Sequence, residues 1–304
     1  MEISVIICTF NGSERLKDTL KSLGDMEVPS DIQWELLVVD NNSSDDTGEV
    51  IQKFVKTFGL DVKYLFEGNQ GLSHARNKGL MNANGKIIAF TDDDCIVDKS
   101  WITSILKEFS SDKTLSGLGG RVELYNTNDR PVTTRTLKEW MLFSSPNQLF
   151  NLLPGCNMGF VRDVFDDVGI FDPNFGAGTK IASAEDSDFF YRAYKKGFKM
   201  IYSPDVLVYH NHGRRTDSQV RALNRGYVIG RGAFYCKHIL RGDPVVMRLA
   251  CREISTQIKR FIRNLYRNQS IEKEIRLIRF IITGALYKLV AVKRFKHRNQ
   301  TVSP

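Results

Sequence analysis

The sequence predicts an α/β protein, a mostly parallel sheet flanked by helices, followed by a basic amphipathic helical region. Three observations carry that prediction. Apolar strand patterns alternate with helix patterns four times in the first hundred residues, the arrangement that right-handed crossovers produce. Polar residues (Thr9, Asp40 and Asp92) stand at the ends of those strands, where ligands bind in such sheets. From Val246 onward, apolar residues recur at helical spacing among arginines and lysines.

In chain order, Ile3 to Cys8 is the first strand; Asn11-Gly12 turns the chain, and a helix from about Ser13 puts Leu16, Leu20 and Leu23 on one face. Glu35 to Val39 is the second strand. A helix from about Asp46 presents Val50, Ile51, Phe54, Val55 and Phe58, and Gly59 stops it. Val62 to Phe66 is the third strand, and Asn69-Gln70-Gly71 opens a helix that closes at Gly85. Lys86 to Thr91 is a buried strand running directly into Asp92, Asp93 and Asp94, with Asp98 or Ser100 capping a helix near Trp101. The second half is more broken. It holds a strand over Leu118 to Leu124, a mobile polar loop from Tyr125 to Pro131, and a turn at Pro154-Gly155-Cys156-Asn157. A helix opens at Glu185 and ends at Gly197, and a strand over Val206 to Tyr209 precedes His210-Asn211-His212.

At 304 residues and 42% hydrophobic, the chain can bury a proper core in one large domain or two small ones. Its net charge of +8 is concentrated after Arg241, where only Asp243, Glu253, Glu272 and Glu274 oppose the basic residues. That asymmetry favours an anionic partner, and no motif interleaves aromatics as nucleic-acid binders do. Cys8, Cys95, Cys156, Cys236 and Cys251 form no CxxC pair, which argues against a zinc knuckle or a disulfide framework and fits a reducing cytoplasm. The N-terminus enters a strand with no basic leader, and no apolar run reaches ~18 residues, so no transmembrane helix is expected.

Three consecutive acids at a strand end need a physical reason. On an extended backbone Asp92 and Asp94 point to one side and Asp93 to the other, two like charges that repel unless a cation sits between them. Hard oxygen ligands suit Mg²⁺ or Mn²⁺ holding a diphosphate; a solvated acidic turn is the alternative. Asp40 can accept from a nucleobase or ribose, or cap the next helix. Asp186, in the acidic first turn of its helix, is a candidate general base, although capping also accounts for acids there. One of His210 and His212 could complete a metal site as a neutral imidazole; a pair of hydrogen-bonded loop residues is the alternative.

Taken together, Ser4 to Asn11, Val38 to Thr47, Gly71-Leu72-Ser73-His74-Ala75-Arg76-Asn77, Thr91-Asp92-Asp93-Asp94 and Glu185-Asp186-Ser187-Asp188-Phe189 resemble glycosyltransferase family 2. The resemblance runs from about Ile3 to His212 and implies a Rossmann-like GT-A fold. It implies a catalytic domain over residues 1–213, with a nucleotide-sugar half to about 124 and an acceptor half beyond, and a basic helical region over 214–304. Thr9, Phe10, Asn11 and Asp40 would hold the nucleoside, and Arg76 and Asp93 the donor. Asp92 and Asp94 would bring the metal, although an all-aspartate run leaves open which two do so. Asp186 would be the base, Gly155, Asn157 and Glu185 would meet the acceptor, and His210 or His212 would add a metal ligand. The implied reaction is an inverting, Mn²⁺- or Mg²⁺-dependent transfer of one sugar from a nucleoside-diphosphate sugar to a glycan or lipid-linked acceptor, in surface polysaccharide or glycoconjugate assembly. The QxxRW motif of the processive synthases is not found after the acidic helix.

Two other functions are weighed against this one. A nucleotidyltransferase making a nucleotide sugar needs a glycine-rich loop after the first strand, where only Gly12 is offered. A catalytically silent nucleotide-binding module would lose no transfer when Asp186 is replaced. The tail admits three readings. Stripes at Val246, Ala250, Ile254, Ile258, Phe261 and Leu265, and at Ile271, Ile275, Ile278, Ile282, Ala285, Leu289 and Val292, could pack on the catalytic domain, form a seam between two copies, or lie in an anionic leaflet. The last places the protein peripherally on the cytoplasmic face of the cell membrane.

Overall fold

The structure, a computed structural model, describes residues 1–58, 62–267, 270 and 272–300. Gly59 and Ile271 lie outside these residues, as does the side chain of Val292. The chain forms two compact units. The first comprises Met1–Phe171 and Phe189–Thr216; the second comprises Asp172–Asp188 and the chain from Asp217 onward. Segment Asp172–Asp188, expected in the acceptor half, therefore groups with the C-terminal helices.

In the first unit the described residues form one nine-stranded sheet. Its strands are β1 (Ile3–Thr9), β2 (Trp34–Asp40), β3 (Val62–Phe66), β4 (Ile87–Asp92), β5 (Cys95–Val97), β6 (Leu115–Leu124), β7 (Met141–Leu142), β8 (Asn157–Val161) and β9 (Lys199–His210). They run in the order β3-β2-β1-β4-β8-β6-β9-β5, with β7 against β9. The first four are mutually parallel. They read as continuous apolar runs because helices cover both faces of such a sheet. The second half is mixed: β8 is antiparallel to β4 and β6, β5 and β7 are antiparallel to β9, and β6 is parallel to β9.

Helix α1 (Arg15–Gly24) buries Leu16, Leu20 and Leu23, each contributing roughly 1.5–3 kcal/mol. After α2 (Thr47–Phe58), α3 (Leu72–Asn82) ends three residues short of the expected Gly85. The buried Glu35 carboxylate takes the Asn84 N–H at 2.6 Å and the Ser4 hydroxyl at 2.6 Å, and Ser4 in turn receives the Gly85 N–H at 2.7 Å. Those bonds pull the chain out of the helix. Helix α4 (Trp101–Ser111) faces Asn157 through its first residue, and α5 (Asp163–Val168) follows β8. Strand β9 begins seven residues before the expected Val206, because Ser203, Pro204 and Asp205 interrupt its apolar run beside a register shift at Gly120/Arg121. The loop from Tyr125 to Pro131, expected to be mobile, is tied down by the buried Asp129, which accepts the Gly213 N–H at 2.8 Å and Arg215 Nε at 3.0 Å.

Helix α6 (Glu185–Lys195) starts in the second unit and continues into the first. The second unit also holds α7 (Asp217–Ile239), α8 (Pro244–Tyr266) and α9 (Glu272–Gln300). No pattern announced α7, whose glycines at 226, 230 and 232 break any apolar stripe. Asp243 caps α8, accepting the Val245 and Val246 N–H groups, with Pro244 in the first turn. Only Val246 and Ala250 of the expected α8 stripe are buried; Ile254, Ile258 and Leu265 are exposed. In α9, Ile281 is buried together with Glu274 and Lys288, while Ile275 and Ile282 face solvent.

Candidate active site

Register places Thr9 beside Asp40, Asp40 beside Phe66, and Asp92 beside Cys8 at the carboxyl edge of the parallel strands. Short polar bonds then tie the following loops into one rim. Asn11, at a left-handed φ of 47°, accepts the Ser44 N–H at 2.8 Å and donates its own N–H to Ser43 Oγ at 2.9 Å. The buried Asn41 amide donates to the Glu67 and Asn69 carbonyls and accepts the Gly71 N–H. Asp40 is buried on this rim: Oδ1 accepts the Ser43 N–H at 2.9 Å, and Oδ2 accepts the Tyr64 hydroxyl at 3.0 Å. Both roles open to Asp40 are compatible with that geometry, since a carboxylate oxygen accepts more than one bond. Phe10 presents a 43% exposed residue on the same rim.

The acidic run departs from the strand reading. β4 ends at Asp92 and the chain turns at Asp93 and Asp94, so alternation no longer governs where the three side chains point. Each takes a different partner. Asp92 Oδ1 lies 3.5 Å from an Arg76 guanidinium nitrogen. Asp93 is buried, accepting the Thr9 hydroxyl at 2.6 Å and Arg15 Nε at 2.9 Å. Burial pushes its carboxyl up to about 6 despite Arg15. A Cβ on Gly12 would stand 2.5 Å from that carboxylate, so a bare α-carbon lets the loop close over it. Thr9 and Asp93 thus shape the rim by bonding each other.

Asp94 is the acid that faces a histidine, with Oδ1 3.1 Å from His210 Nε2. Burial alone would raise the Asp94 carboxyl, but the adjacent imidazole holds it below the ordinary range. Burial likewise opposes charge on His210, and the Asp94 carboxylate overrides it, pushing the imidazole up to about 9. Thr133 Oγ1 lies 3.0 Å from His210 Nδ1 and spends its proton on the Val132 carbonyl. Nδ1 therefore carries a hydrogen, and Nε2 is the nitrogen turned to Asp94.

This pair fits a divalent cation. Among the described residues, Asp94, Cys95 and His210 bring one ligand atom each within 4.8 Å of one another. The proton that joins His210 to Asp94 sits where a cation between oxygen and nitrogen would sit. Cys95 is a poor third ligand, because its hydrogen bond with Cys156 and its burial raise the thiol well above its ordinary pKa. A carboxylate oxygen and an imidazole nitrogen without a thiolate are donors that a divalent ion such as Mn²⁺ accepts.

Three expected site residues are placed differently. His212 Nδ1 accepts the Arg214 N–H at 3.0 Å and lies 3.7 Å from Asp129, so its neutral ring keeps its proton on Nε2 and offers no lone pair to a metal. Arg76 is 2% exposed, lies over the Phe90 and Phe171 rings, and donates to the Gly155 carbonyl at 3.0 Å; it braces Asp92 and the 154–157 turn. Asn157 is fully buried, accepting from Trp101 Nε1 and donating to the Arg121 and Val206 carbonyls, so its side chain is spent on the sheet. Arg15, Tyr64 and Thr133 were missed. Each acts on a partner far away in sequence, and none lies in a recognisable motif.

In the second unit, Glu185 and Asp186 open α6. Glu185 is buried beneath Gly176, whose built Cβ would stand 3.2 Å from its carboxylate. Asp186 is half-buried, and its Oδ1 accepts the Ser187 N–H at 2.6 Å.

The sequence model of glycosyl transferase family 2 matches residues 4–169, more than half of the chain. Glycosyltransferase AglE of Haloferax volcanii is 29% identical over 210 residues, covering 68% of this chain and 66% of that relative's length. Glucosyl-dolichyl phosphate glucuronosyltransferase of the same organism is 25% identical over 218 residues, 69% of each chain. The solved mannosyltransferase PcManGT from Pyrobaculum calidifontis, in complex with GDP-Man and Mn²⁺, superposes with a TM-score of 0.62 at 17% identity, covering 95% of this chain and 87% of that one. At that identity the likeness speaks to fold, the GT-A type architecture.

Proposed function

The chain belongs to glycosyl transferase family 2, and on that premise we propose that it is a non-processive, inverting glycosyltransferase. It moves one sugar from a nucleoside-diphosphate sugar to a hydroxyl of a glycan or lipid-linked acceptor, in polysaccharide or glycoconjugate assembly. The observation that carries this reading is the Asp94–His210 pair at the carboxyl edge of the sheet. Asp40, with Phe10 and Asn11 on its rim, takes the nucleoside, and residues to about 124 form the donor half. Asp94 and His210 hold Mn²⁺ or Mg²⁺, with Asp92 braced nearby by Arg76. When bound, the ion supplies positive charge to the departing diphosphate. Gly155 and Glu185 mark the acceptor side.

Asp186 accepts the proton of the acceptor hydroxyl as that oxygen attacks the anomeric carbon from the face opposite the diphosphate. A single displacement inverts the anomeric centre, and no covalent sugar–protein intermediate forms. Incubation of UDP-, GDP- and dTDP-sugars and Mn²⁺ with a panel of glycan and lipid-linked acceptors, followed by NMR of the product linkage, is expected to give one donor turned over with inversion. Retention, or no turnover of any donor, contradicts the assignment.

The partner we assign to the basic helices is an anionic membrane surface. Among the described residues no helix is long and apolar enough to cross a membrane. Helix α8 nonetheless exposes Met247, Ile254, Ile258, Ile262 and Leu265 at helical spacing, flanked on one side by the exposed Arg248, Arg252, Lys259 and Arg263. Each basic residue near such a surface contributes about 1 kcal/mol. The full chain is expected to sediment with vesicles containing phosphatidylglycerol and not with pure phosphatidylcholine, and Ile258→Glu is expected to release it. Equal binding to both vesicles, or concentration-dependent dimerisation without vesicle binding, contradicts it.

A further inference from the structure

In the second unit, one stripe of α7 runs along the segment that leads into Asp186. Ala182 and Ala184 both adopt left-handed φ, 63° and 74°, a conformation that residues with side chains keep only where the surroundings impose it. Ser183 between them donates its hydroxyl to the Gly226 carbonyl at 3.0 Å. One turn further along α7, Gly230 lies so close that a Cβ there would strike the Ser183 hydroxyl and stand 2.9 Å from the Ser183 carbonyl carbon.

Two turns beyond, Lys237 Nζ sits 2.8 Å from both oxygens of Asp188, and His238 Nε2 lies 3.0 Å from Oδ1. Positions 226, 230 and 237 fall on the same side of a helix. Lys237 also meets Asp172 Oδ2 at 2.8 Å, and Lys288 of α9 takes that oxygen at 2.6 Å. The Phe175 ring faces both ammonium groups, at 5.3 and 4.7 Å. Lys237, His238, Lys288 and Asp188 are all buried. Two lysines against two aspartates balance charge that could not otherwise remain away from water.

The chain is therefore held on both sides of Glu185 and Asp186, by Ser183 before them and by Asp188 after them. We propose that Ser183, Gly230, Lys237 and His238 are positioning residues that fix the Asp186 carboxylate for proton transfer. This rests on the reading of Asp186 as the base. Orientation is where such a device acts, since a misplacement of about 1 Å can cost about a hundredfold in rate.

The test compares Ser183→Ala, Gly230→Ala and Lys237→Met in the full chain, with Asp186→Asn alongside. It reads kcat and donor KM with whichever UDP-, GDP- or dTDP-sugar the wild type turns over, and hydrogen exchange of residues 182–188. Exchange is expected to rise and kcat to fall about tenfold or more, with donor KM within about twofold of wild type. Ser183→Ala, which removes one hydroxyl, keeps the comparison decisive if Lys237→Met does not fold. Faster exchange with wild-type kcat makes the contacts structural only and overturns the proposal, and so does unchanged exchange. Transfer surviving in Asp186→Asn overturns instead the base assignment on which the proposal rests.

Discussion

Asp186→Asn is expected to lower kcat by roughly 10²–10⁴-fold while nucleotide binding persists. The carboxamide keeps the size of the side chain and an oxygen able to accept the Ser187 N–H, so the first turn of α6 is preserved. What it loses is basicity: an amide oxygen does not take a proton from an attacking hydroxyl near neutral pH. Initial rates of nucleoside-diphosphate release, read beside calorimetry with the same nucleotide, separate the two quantities. A variant that keeps its rate, or one that loses rate and nucleotide affinity in proportion, removes Asp186 from the role of base.

The parallel half of the sheet could be read from the sequence, because strands buried on both faces are written as uninterrupted apolar runs, as in Ile3 to Cys8. The strand tips followed from the same rule, and Thr9, Asp40 and Asp92 do share one edge. The orientation of the acids did not follow. A period of two holds only while the backbone stays extended, and here the chain turns at Asp93, which sends that carboxylate to Thr9 and Arg15. Residues that position others were illegible for a related reason. Arg15 meets Asp93 across 78 positions and Thr133 meets His210 across 77, separations that no local pattern encodes. Among the C-terminal helices, α8 was legible as a helix, but its buried seam narrows to Val246 and Ala250 with Gln257, so an apolar stripe alone did not tell packing from exposure. Helix α7 carries glycine where it approaches Ser183, and close backbone approach leaves no apolar residue to mark it.

Asp94→Asn is the second substitution expected to have a large effect. The amide keeps the shape of the group but discards the charge that sustains the protonated His210 and that, in the function proposed above, binds a cation. Loss of a cation at a departing diphosphate is worth several kcal/mol, so kcat/KM is expected to fall by about a hundredfold or more. Losing the carboxylate also leaves a buried imidazole without its counter-charge, and its pKa returns toward the ordinary histidine value. His210→Ala leaves Asp94 in place and is expected to raise the Mn²⁺ concentration needed for half-maximal rate.

Thermal unfolding of the wild type and Asp94→Asn with UDP, GDP and dTDP, each with and without Mn²⁺, tests the cation's role directly. One nucleotide is expected to stabilise the wild type only when Mn²⁺ is present, by about 2.7 kcal/mol at a hundredfold excess over Kd, and to leave Asp94→Asn unmoved. Equal stabilisation with and without the ion, or a metal-dependent shift that survives in Asp94→Asn, contradicts a cation held by Asp94 and His210.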